Sequence, residues 1–348
     1  MNPSYSVVIA SIRLDPAIRS LSSLSELPRH ERPAEVIVAV GRNPSHQRNL
    51  GVAAARHPLV YFLDDDSHVP PGTPSHLVSH FTDERVAVAG GPNLASSDAT
   101  PFERTVSAVL ASWMGSFSVR TRYSARGSVK EATEKDLILC NMMVRKDIFL
   151  SEGGFRKDLF PNEENEFLNR LLHLGHQLIY DPTAHVVRPR RKNWWAWTYQ
   201  AFRYGQGRAR QMRVYPCLSD LVHTIPAFFP LYLVGAVVLA GPCPIAHPVC
   251  PLMASPILHT AFTLPLTLYL LLIIGTGLSA ASWHRRLGDL WNVPLLILAR
   301  HLGYGAGWWA GLLGPFSNLR RDKVELFTAK PSRKGWSLQS IPPKRSRP

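Results

Sequence analysis

One short stretch near residue 60 constrains the fold more than any other part of the chain. The apolar run Leu59–Leu63 is followed at once by three acids, Asp64, Asp65 and Asp66, and then by two prolines at 70 and 71. An apolar run of this length, bounded by turn residues, is typical of a buried strand. Ligands bind at the carboxyl ends of strands in open α/β sheets. Two carboxylates spaced D-x-D at such an end can share a divalent cation, which can hold a diphosphate. The alternative is a solvated acidic turn.

Strand and helix patterns alternate along the N-terminal part of the chain. Strand patterns over Tyr5–Ala10 and Glu35–Val40 precede the strand that ends at Leu63, and a helix pattern over Ser45–Arg56 carries the pair Arg48-Asn49. The links between these elements are short, which favours a mostly parallel, doubly wound sheet. We therefore predict an α/β domain of Rossmann-like construction.

A second group of acids opens a predicted helix. Glu163, Glu164 and Glu166 stand at the start of the helix pattern Glu163–Leu174. The positive end of a helix dipole favours acids there, and this effect alone would account for them. Before this helix, the segment Arg120–Lys135 is polar and has no period, which predicts a mobile loop of the kind that often serves as a lid.

The charge of the chain predicts an anionic partner. The formal net charge is +14 and the pI is near 10.0, which favours nucleic acid, a phosphorylated substrate or a membrane surface. No acid occurs between Asp181 and Asp220. The basic and tryptophan residues in that gap are Arg188, Arg190, Arg191, Lys192, Trp194, Trp195, Trp197, Arg203, Arg208, Arg210 and Arg213. This mixture suits a membrane interface. Because no nucleic-acid-binding motif occurs, we expect no nucleic acid partner.

Two long stretches contain no Asp, Glu, Lys or Arg. They are His223–Gly241 and Pro251–Ser282, and they predict membrane spans at about 223–241 and 254–282, because a bilayer core of about 30 Å needs roughly 20 residues. Core helices of a soluble protein are the alternative. A third apolar segment, 290–313, contains Arg300, which would cost several kcal/mol at the bilayer centre. We expect this segment to be re-entrant or interfacial rather than spanning.

These patterns divide the chain into three parts: a Rossmann-like domain over 1–215, a membrane region over 216–317 and a tail over 318–348. From Arg320 onwards the tail has nine lysines and arginines against two acids, and we expect it to be disordered. The positive-inside rule then predicts a multi-pass protein with the N-terminal domain and the tail in the cytoplasm. The loop 241–256 would lie on the side of the membrane away from the cytoplasm. Its two cysteines, Cys243 and Cys250, would form a disulfide there or remain as two thiols.

The order of the motifs carries a resemblance to a known family. The strand that ends in D-x-D is followed by the turn Gly153-Gly154-Phe155, by the sequence N-E-E-N-E-F-L-N-R at 162–170 and by Gln200-x-x-Arg203-Tyr204-Gly205. From about Tyr5 to Arg213 the chain resembles the inverting nucleotide-sugar glycosyltransferases of family 2, which have the GT-A fold. It is most similar to the membrane-associated bacterial subgroup of the succinoglycan-biosynthesis type.

The resemblance implies roles for the residues that would bind the donor. Asp64 and Asp65 would lie by the ribose and diphosphate of a nucleotide-diphosphate sugar. Asp66, together with Asp64, would ligate Mg²⁺ or Mn²⁺. Arg48 would lie near the nucleotide base.

The resemblance also implies roles on the acceptor side. Glu164 would be the general base that deprotonates the acceptor hydroxyl, or Glu163 would act in its place. Gln200, Arg203 and Tyr204 would steady the diphosphate or the acceptor near the membrane.

Two strand ends depart from the family pattern. Val38-Ala39-Val40-Gly41 stands where the family has an acid after the second strand, and Ala10-Ser11-Ile12-Arg13 replaces the usual proline and glutamate after the first. The choice among UDP, GDP and dTDP therefore stays open. The resemblance implies a transferase in the bacterial inner membrane that moves a sugar to a lipid-linked or cell-surface saccharide. The alternative is a non-catalytic homologue that binds a nucleotide sugar or a partner protein.

Overall fold

The chain forms two compact units. The computed structural model describes residues 4–15, 18–214, 216, 218–240, 256–315, 323–332 and 335–342. The first unit comprises residues 1–99, 118–190 and 317–348, and the second comprises 100–117 and 191–316. The division therefore differs from the sequence-based boundary at residue 215, and the tail belongs with the N-terminal part of the chain.

The strands and helices have the following bounds. The strands are β1 (Tyr5–Ser11), β2 (Glu35–Val40), β3 (Leu59–Asp64), β4 (Val86–Gly90), β5 (Asn93–Ala95), β6 (Lys130–Glu131), β7 (Asn141–Arg145), β8 (Gln177–Tyr180), β9 (Val186–Arg188), β10 (Glu325–Ser332) and β11 (Gly335–Ser340). The helices are α1 (Arg19–Glu26), α2 (Pro44–Ala54), α3 (Thr73–Ser79), α4 (Pro101–Ala111), α5 (Trp113–Ser116), α6 (Lys146–Ser151), α7 (Glu163–His173), α8 (Trp194–Val214), α9 (Ile225–Ala240), α10 (Pro256–His284) and α11 (Asp289–Leu313).

The first unit is built on a large mixed sheet. Among the described residues its strand order is β11-β10-β2-β1-β3-β7-β4-β8-β6, and β5 pairs with β9 in a separate ribbon. Strands β2, β1 and β3 are parallel neighbours, as are β4 and β8, whereas β7 runs antiparallel between β3 and β4. The predicted α/β class is confirmed. Because β1 and β3 are parallel, their carboxyl ends meet at one edge of the sheet.

Both faces of the sheet are buried. Successive side chains of a strand point to opposite faces, and both sets are apolar here. Val7 and Tyr61 pack in the cluster that contains Leu21 of α1, whereas Val8 and Phe62 pack in the cluster that contains residues of α2, α6 and α7. Burial on both faces explains why these strands read as continuous apolar runs in the sequence.

The C-terminal tail corrects the prediction of disorder. Strand β10 pairs antiparallel with β2, and β11 pairs antiparallel with β10. Trp336 packs against the α1-side cluster, and its Nε1 donates a hydrogen bond to the Leu21 carbonyl at 2.7 Å. The composition of the tail is basic and polar, but edge pairing with β2 satisfies its backbone groups, and its alternate apolar residues pack on the core. The described parts of the tail, residues 323–332 and 335–342, therefore extend the sheet.

The segment Arg120–Lys135 is also ordered, against the expectation of a mobile loop. Its β6 strand pairs with β8. Arg122 is buried, and its Nε donates to the Lys135 carbonyl at 3.1 Å while Nη2 donates to Asn165 Oδ1 at 2.5 Å. One arginine thus ties both ends of this segment to α7.

The second unit is helical, and α11 packs against α8. Gly205 of α8 lies against α11 so closely that a Cβ added there would be 2.1 Å from the Tyr304 carbonyl oxygen. Trp197 is fully buried, and its Nε1 donates to the Leu296 carbonyl at 3.0 Å. The segment 290–313, which was expected to be re-entrant or interfacial, lies within the single helix α11 and has one buried face.

The expectation of two firm membrane crossings is not supported. Among the described residues, one helical stretch, Thr260–His284 of α10, is long and apolar enough to span a bilayer. The first predicted span corresponds to the 16-residue helix α9. At 1.5 Å per residue a helix of that length is shorter than a bilayer core of about 30 Å. The loop 241–255, including Cys243 and Cys250, lies outside the described residues.

Candidate active site

The sheet brings the D-x-D acids to the end of β1. Asp64 is the last residue of β3 and pairs in register with Ala10 of β1. Ser11, the next residue of β1, donates its hydroxyl to Asp65 Oδ2 at 3.0 Å. Burial raises the pKa of the Asp65 carboxyl, and the negative charges of Asp66 and Asp64 add to that effect while the Ser11 hydrogen bond opposes it. Asp65 therefore anchors the turn through Ser11, which the sequence patterns did not single out.

Arg48 links the D-x-D acids to the acid cluster of α7. Its Nη2 lies 2.7 Å from Asp64 Oδ1, and its Nη1 lies 3.2 Å from Glu163 Oε1. The Arg48 side chain is 7% exposed. A guanidinium is planar and carries donors on two edges, so it can bridge two carboxylates. Asp64 and Glu163 are 99 positions apart in the sequence. The fold thus brings both acids within reach of one side chain.

A second arginine, missed by the sequence analysis, binds both outer acids of the D-x-D. Arg188, at the end of β9, places Nη1 2.7 Å from Asp64 Oδ2. Its Nε donates to Asp66 Oδ1 at 2.6 Å and its Nη2 to Asp66 Oδ2 at 3.1 Å. In the sequence Arg188 is one member of a basic run. The signal that could have found it is the strand pattern Val186–Arg188, which puts the residue at a strand end.

The acids of α7 have different environments. The Glu163 side chain is 1% exposed, and that of Glu164 is 13% exposed, with its Oε1 3.9 Å from Nη1 of Arg122. Burial raises the pKa of Glu163 to about 8; the Glu164 charge adds to this, and Arg48 opposes it. Glu166 instead pairs with Arg170 one turn along, Oε1 to Nε at 2.9 Å. Glu164 is therefore the more open of the two predicted base candidates.

The Gly-Gly-Phe turn is hydrogen-bonded to both α2 and α7. Gly153 and Gly154 have φ values of +75° and +65°, which residues other than glycine rarely adopt. Asn49, beside Arg48 on α2, donates Nδ2 to the Phe155 carbonyl at 2.7 Å and accepts from the Phe155 N–H at 2.9 Å. Arg170 of α7 donates to the Gly154 carbonyl at 2.8 Å. In the pair Arg48-Asn49, Arg48 thus binds the acids and Asn49 binds the turn.

The remaining predicted residues lie in the second unit. Gln200, Arg203 and Tyr204 are on α8 and partly exposed. Gln200 Nε2 donates to the Tyr204 hydroxyl at 3.1 Å. Gly205, which completes the Arg-Tyr-Gly motif, provides the close contact of α8 with α11. The motif therefore has a packing role within this unit, beside any role toward a ligand.

The end of β3 offers oxygen donors to a divalent cation. Asp64 and Asp66 already share one cationic group, Arg188, so both carboxylates are directed at one place. No cluster of three or more His, Cys, Asp or Glu side chains suited to a metal ion occurs in the described part of the chain. Mg²⁺ usually takes one or two carboxylates and completes its shell with phosphate oxygens and water. The two aspartates fit a cation that arrives with a diphosphate.

Comparison with known protein families gives a match over most of the chain. The sequence profile described as "Glycosyl transferase family group 2" matches residues 59–308. Two pre-mycofactocin glycosyltransferases of Mycobacterium tuberculosis, from strains CDC 1551 / Oshkosh and ATCC 25618 / H37Rv, are each 26% identical to this chain over 166 residues. The alignment covers 47% of this chain and 34% of each relative. The chain thus spans about a third of the length of these curated relatives.

Two solved structures are similar at low identity. The mannosyltransferase PcManGT from Pyrobaculum calidifontis, in complex with GDP-Man and Mn²⁺, gives a TM-score of 0.47 at 17% identity and covers 86% of this chain and 88% of its own. GalNAc-T7, with UDP, GalNAc and Mn²⁺, gives a TM-score of 0.44 at 12% identity and covers 70% of this chain and 52% of its own.

Proposed function

Because this chain belongs to glycosyl transferase family group 2, we propose that it transfers a sugar from a nucleotide-diphosphate sugar to a hydroxyl of a saccharide acceptor, with inversion at the anomeric carbon. The observation that carries this proposal is the bridge made by Arg48. It holds Asp64, at the donor end of the sheet, and Glu163, at the start of α7, on one guanidinium. The end of β3 and the start of α7, where Glu164 follows Glu163, are thus held by one side chain, and a direct displacement needs donor and base close together.

The donor half of the site is the end of β3. Asp64 and Asp66 would hold Mg²⁺ or Mn²⁺, which when bound would neutralise charge on the leaving diphosphate. Arg48 and Arg188 add positive charge beside the same place, and Asp65 holds the turn through Ser11. Val38-Ala39-Val40-Gly41 stands where the family has an acid, and uracil, guanine and thymine are the three candidate nucleotide bases.

The acceptor half of the site is the start of α7. Glu164 takes the proton of the acceptor hydroxyl as that oxygen forms a bond to the anomeric carbon. The bond from the anomeric carbon to the phosphate oxygen breaks, and its electron pair leaves with the diphosphate. Attack from the face opposite the leaving group inverts the anomeric centre. Glu163 stays protonated around neutral pH because its pKa is raised, which suits an anchoring role for Glu163 and leaves Glu164 as the base.

The second unit supports attachment to the bacterial inner membrane. Apolar side chains of α10 such as Ile257, Leu271 and Leu278 are exposed, as a lipid-facing helix requires. Since β10 pairs with β2 and β11 pairs with β10, the tail and the sheet share one compartment, and we assign both to the cytoplasm. The chain between them would then cross the membrane an even number of times or not at all. Labelling of a cysteine at Ser340 by an impermeant reagent in intact cells would contradict this arrangement.

A membrane location favours a lipid-linked or cell-surface saccharide as the acceptor. Exposed Trp195 and Tyr199 stack on α8 with ring centroids 6.1 Å apart, and aromatic rings with a polar end suit the membrane–water interface. Gln200, Arg203 and Tyr204 follow on the same helix. We assign these three residues to the acceptor or its diphosphate.

The decisive experiment is turnover of nucleotide sugars by the full chain in detergent or nanodiscs. UDP-, GDP- and dTDP-sugars are offered with lipid-linked saccharides, released nucleotide is measured, and the anomeric configuration of the product is read by NMR. We expect release with one nucleotide class and an inverted product. A retained configuration would overturn the mechanism, and tight binding of a nucleotide sugar without turnover would support the non-catalytic alternative.

A further inference from the structure

Every carboxylate oxygen of the outer D-x-D acids is already bonded to an arginine. Asp64 Oδ1 binds Arg48 and Oδ2 binds Arg188, both at 2.7 Å. Both oxygens of Asp66 bind Arg188, at 2.6 and 3.1 Å. Charge-assisted bonds to guanidinium are among the strongest hydrogen bonds in proteins. A divalent cation entering between these acids must therefore displace an arginine.

The two arginines are not equally able to leave. Arg48 is 7% exposed and has a second hydrogen-bond partner in the Glu163 side chain, which is itself buried. The Arg188 side chain is 20% exposed, and its ion-pair partners within the described residues are the two aspartates alone. Its neighbour Cys140 is a buried thiol whose pKa is raised to about 11 by burial, so it remains neutral. Arg188 is therefore the group that gives way.

A nucleoside diphosphate supplies a better partner for the displaced arginine. Guanidinium binds phosphate oxygens in the same two-pronged way as it binds carboxylates. The backbone of Arg188 is held by the pairing of β9 with β5, so its long side chain can exchange partners while the strand stays in place. The exchange conserves charge: the cation takes the carboxylates, and the guanidinium takes the diphosphate.

We propose that Arg188 is a displaceable counter-ion that closes the D-x-D to a free divalent metal and opens it when the donor diphosphate arrives. The proposal rests on the proposed function for the identity of that donor. It makes Arg188 a positioning residue that couples metal binding to nucleotide binding. Such a coupling is reciprocal, so the nucleotide tightens the metal by the same factor as the metal tightens the nucleotide.

The proposal predicts opposite effects of one substitution on two ligands. In Arg188→Ala, Mn²⁺ added alone should bind at least about 10-fold more tightly than in the wild type, because no cation competes for the carboxylates. The nucleoside diphosphate added alone should bind about 10-fold more weakly. The factor by which nucleotide tightens Mn²⁺ should shrink towards one. A residue with only a structural role would weaken both ligands.

The experiment titrates the full chain in detergent with Mn²⁺, with free Mn²⁺ read by electron paramagnetic resonance, in the absence and presence of UDP, GDP or dTDP. Arg85→Ala is the matched control, since Arg85 is 73% exposed and pairs with Asp83 away from the D-x-D; it should bind Mn²⁺ as the wild type does. Arg188→Lys keeps a positive charge but lacks the two-pronged guanidinium, so its Mn²⁺ affinity should lie between those of the wild type and Arg188→Ala. It replaces the alanine variant in the test if that variant does not fold. Mn²⁺ affinity that is unchanged or weaker in the folded Arg188 variants overturns the proposal.

The two proposals fail in different measurements. Titration with Mn²⁺ alone needs no nucleotide, so it tests the block by Arg188 independently of the donor. Failure of the wild type to bind any of the three nucleoside diphosphates would overturn the proposed function, and with it the proposed displacement of Arg188 by the donor diphosphate. Normal nucleotide binding with unaltered coupling in Arg188→Ala would overturn the Arg188 proposal and leave the proposed function standing.

Discussion

The two compact units hold their inward-facing arginines with different partners. In the first unit Arg48 and Arg188 bind carboxylates at 2.6–3.2 Å. In the second unit Arg300 of α11 lies over the Trp197 ring, 5.1 Å from its centroid. An ion pair can exchange one anion for another, whereas an arginine stacked on a core ring is part of the packing. The first arrangement is adapted to a ligand that comes and goes, and the second to a fixed helix pair.

This contrast assigns different consequences to substitutions in the two units. Changes at the cluster formed by the acids at 64, 66, 163 and 164 with Arg48 and Arg188 should alter catalysis or ligand binding. Their cost in stability should be small, because most of these side chains are partly exposed. Changes at the α8–α11 packing should cost stability and leave the chemistry of the folded protein intact. Each of the following predictions tests that division.

The largest effect is expected for Asp66→Asn. Removal of a charged ligand for the cation should lower kcat by at least about 10³-fold, since the metal contributes several kcal/mol to leaving-group stabilisation. The Asp66 side chain is 41% exposed, so the midpoint of thermal unfolding should stay close to that of the wild type. Asp83→Asn, in an exposed pair with Arg85, is the control for loss of one acid. Undiminished activity of the Asp66 variant, or of the wild type in EDTA, would remove the metal from the mechanism.

Trp197→Ala should have the next largest effect, which should be a loss of stability with no change in the catalytic chemistry. Trp197 is 0% exposed, and truncation of a buried tryptophan costs about 3–5 kcal/mol. Chemical denaturation in detergent should show this loss, while Mn²⁺ and nucleotide binding by the folded fraction stay unchanged. Trp195→Ala, at a ring that is 77% exposed, should change stability by no more than about 0.5 kcal/mol. Equal effects of the two variants would mean that α8 and α11 do not pack as described.

Glu164→Gln should lower kcat by about 10²-fold or more, the usual contribution of a general base, with nucleotide-sugar binding largely retained. Glu163→Gln should be milder, because the buried Glu163 is already protonated near neutral pH and glutamine has nearly the same shape. Steady-state kinetics of the two variants side by side separates the roles. An inactive Glu163 variant beside an active Glu164 variant would reverse the assignment of the base.

The smallest effect is a slope in stability with pH. The pKa of Glu163 is raised in the folded chain, so between its ordinary value of 4.5 and about 8 the folded state holds a proton that the unfolded state has lost. The free energy of unfolding therefore falls as pH rises through this window, by at most about 1.4 kcal/mol per pH unit. The stability of Glu163→Gln minus that of the wild type should rise across the window. Parallel curves would show that Glu163 is ionised in the folded protein.

Local signals in the sequence were sufficient for the strand and helix that carry the predicted acids. The run Leu59–Leu63 forms a strand that ends in Asp64, and the acids at 163–166 open α7, because a continuous apolar run and a helix N-terminus are each determined by adjacent residues. The assignments of Asp64, Asp66 and Glu164 remain proposals.

Partners that are distant in the sequence could not be found in this way. Arg188 reaches Asp66 across 122 positions, and a basic run gives no indication of which arginine turns inward. The tail was predicted to be disordered from its charge, yet Phe327 pairs in register with Val38 and Ala329 with Val36. Alternation of apolar residues was present there, but the stability of an edge strand comes from the neighbour it joins, which composition does not contain.

The pairing of β10 with β2, and of β11 with β10, sets an order for the folding of the chain during synthesis. The ribosome makes these strands last, after every helix of the second unit, so β2 waits with unpaired backbone groups on one edge while the apolar helices are delivered to their site. An unpaired edge is a template for aggregation. Nascent chains should therefore depend on a holding factor until residue 340 has emerged, and a chain that stops after Leu313 should be recovered as aggregate although all its proposed catalytic residues are present.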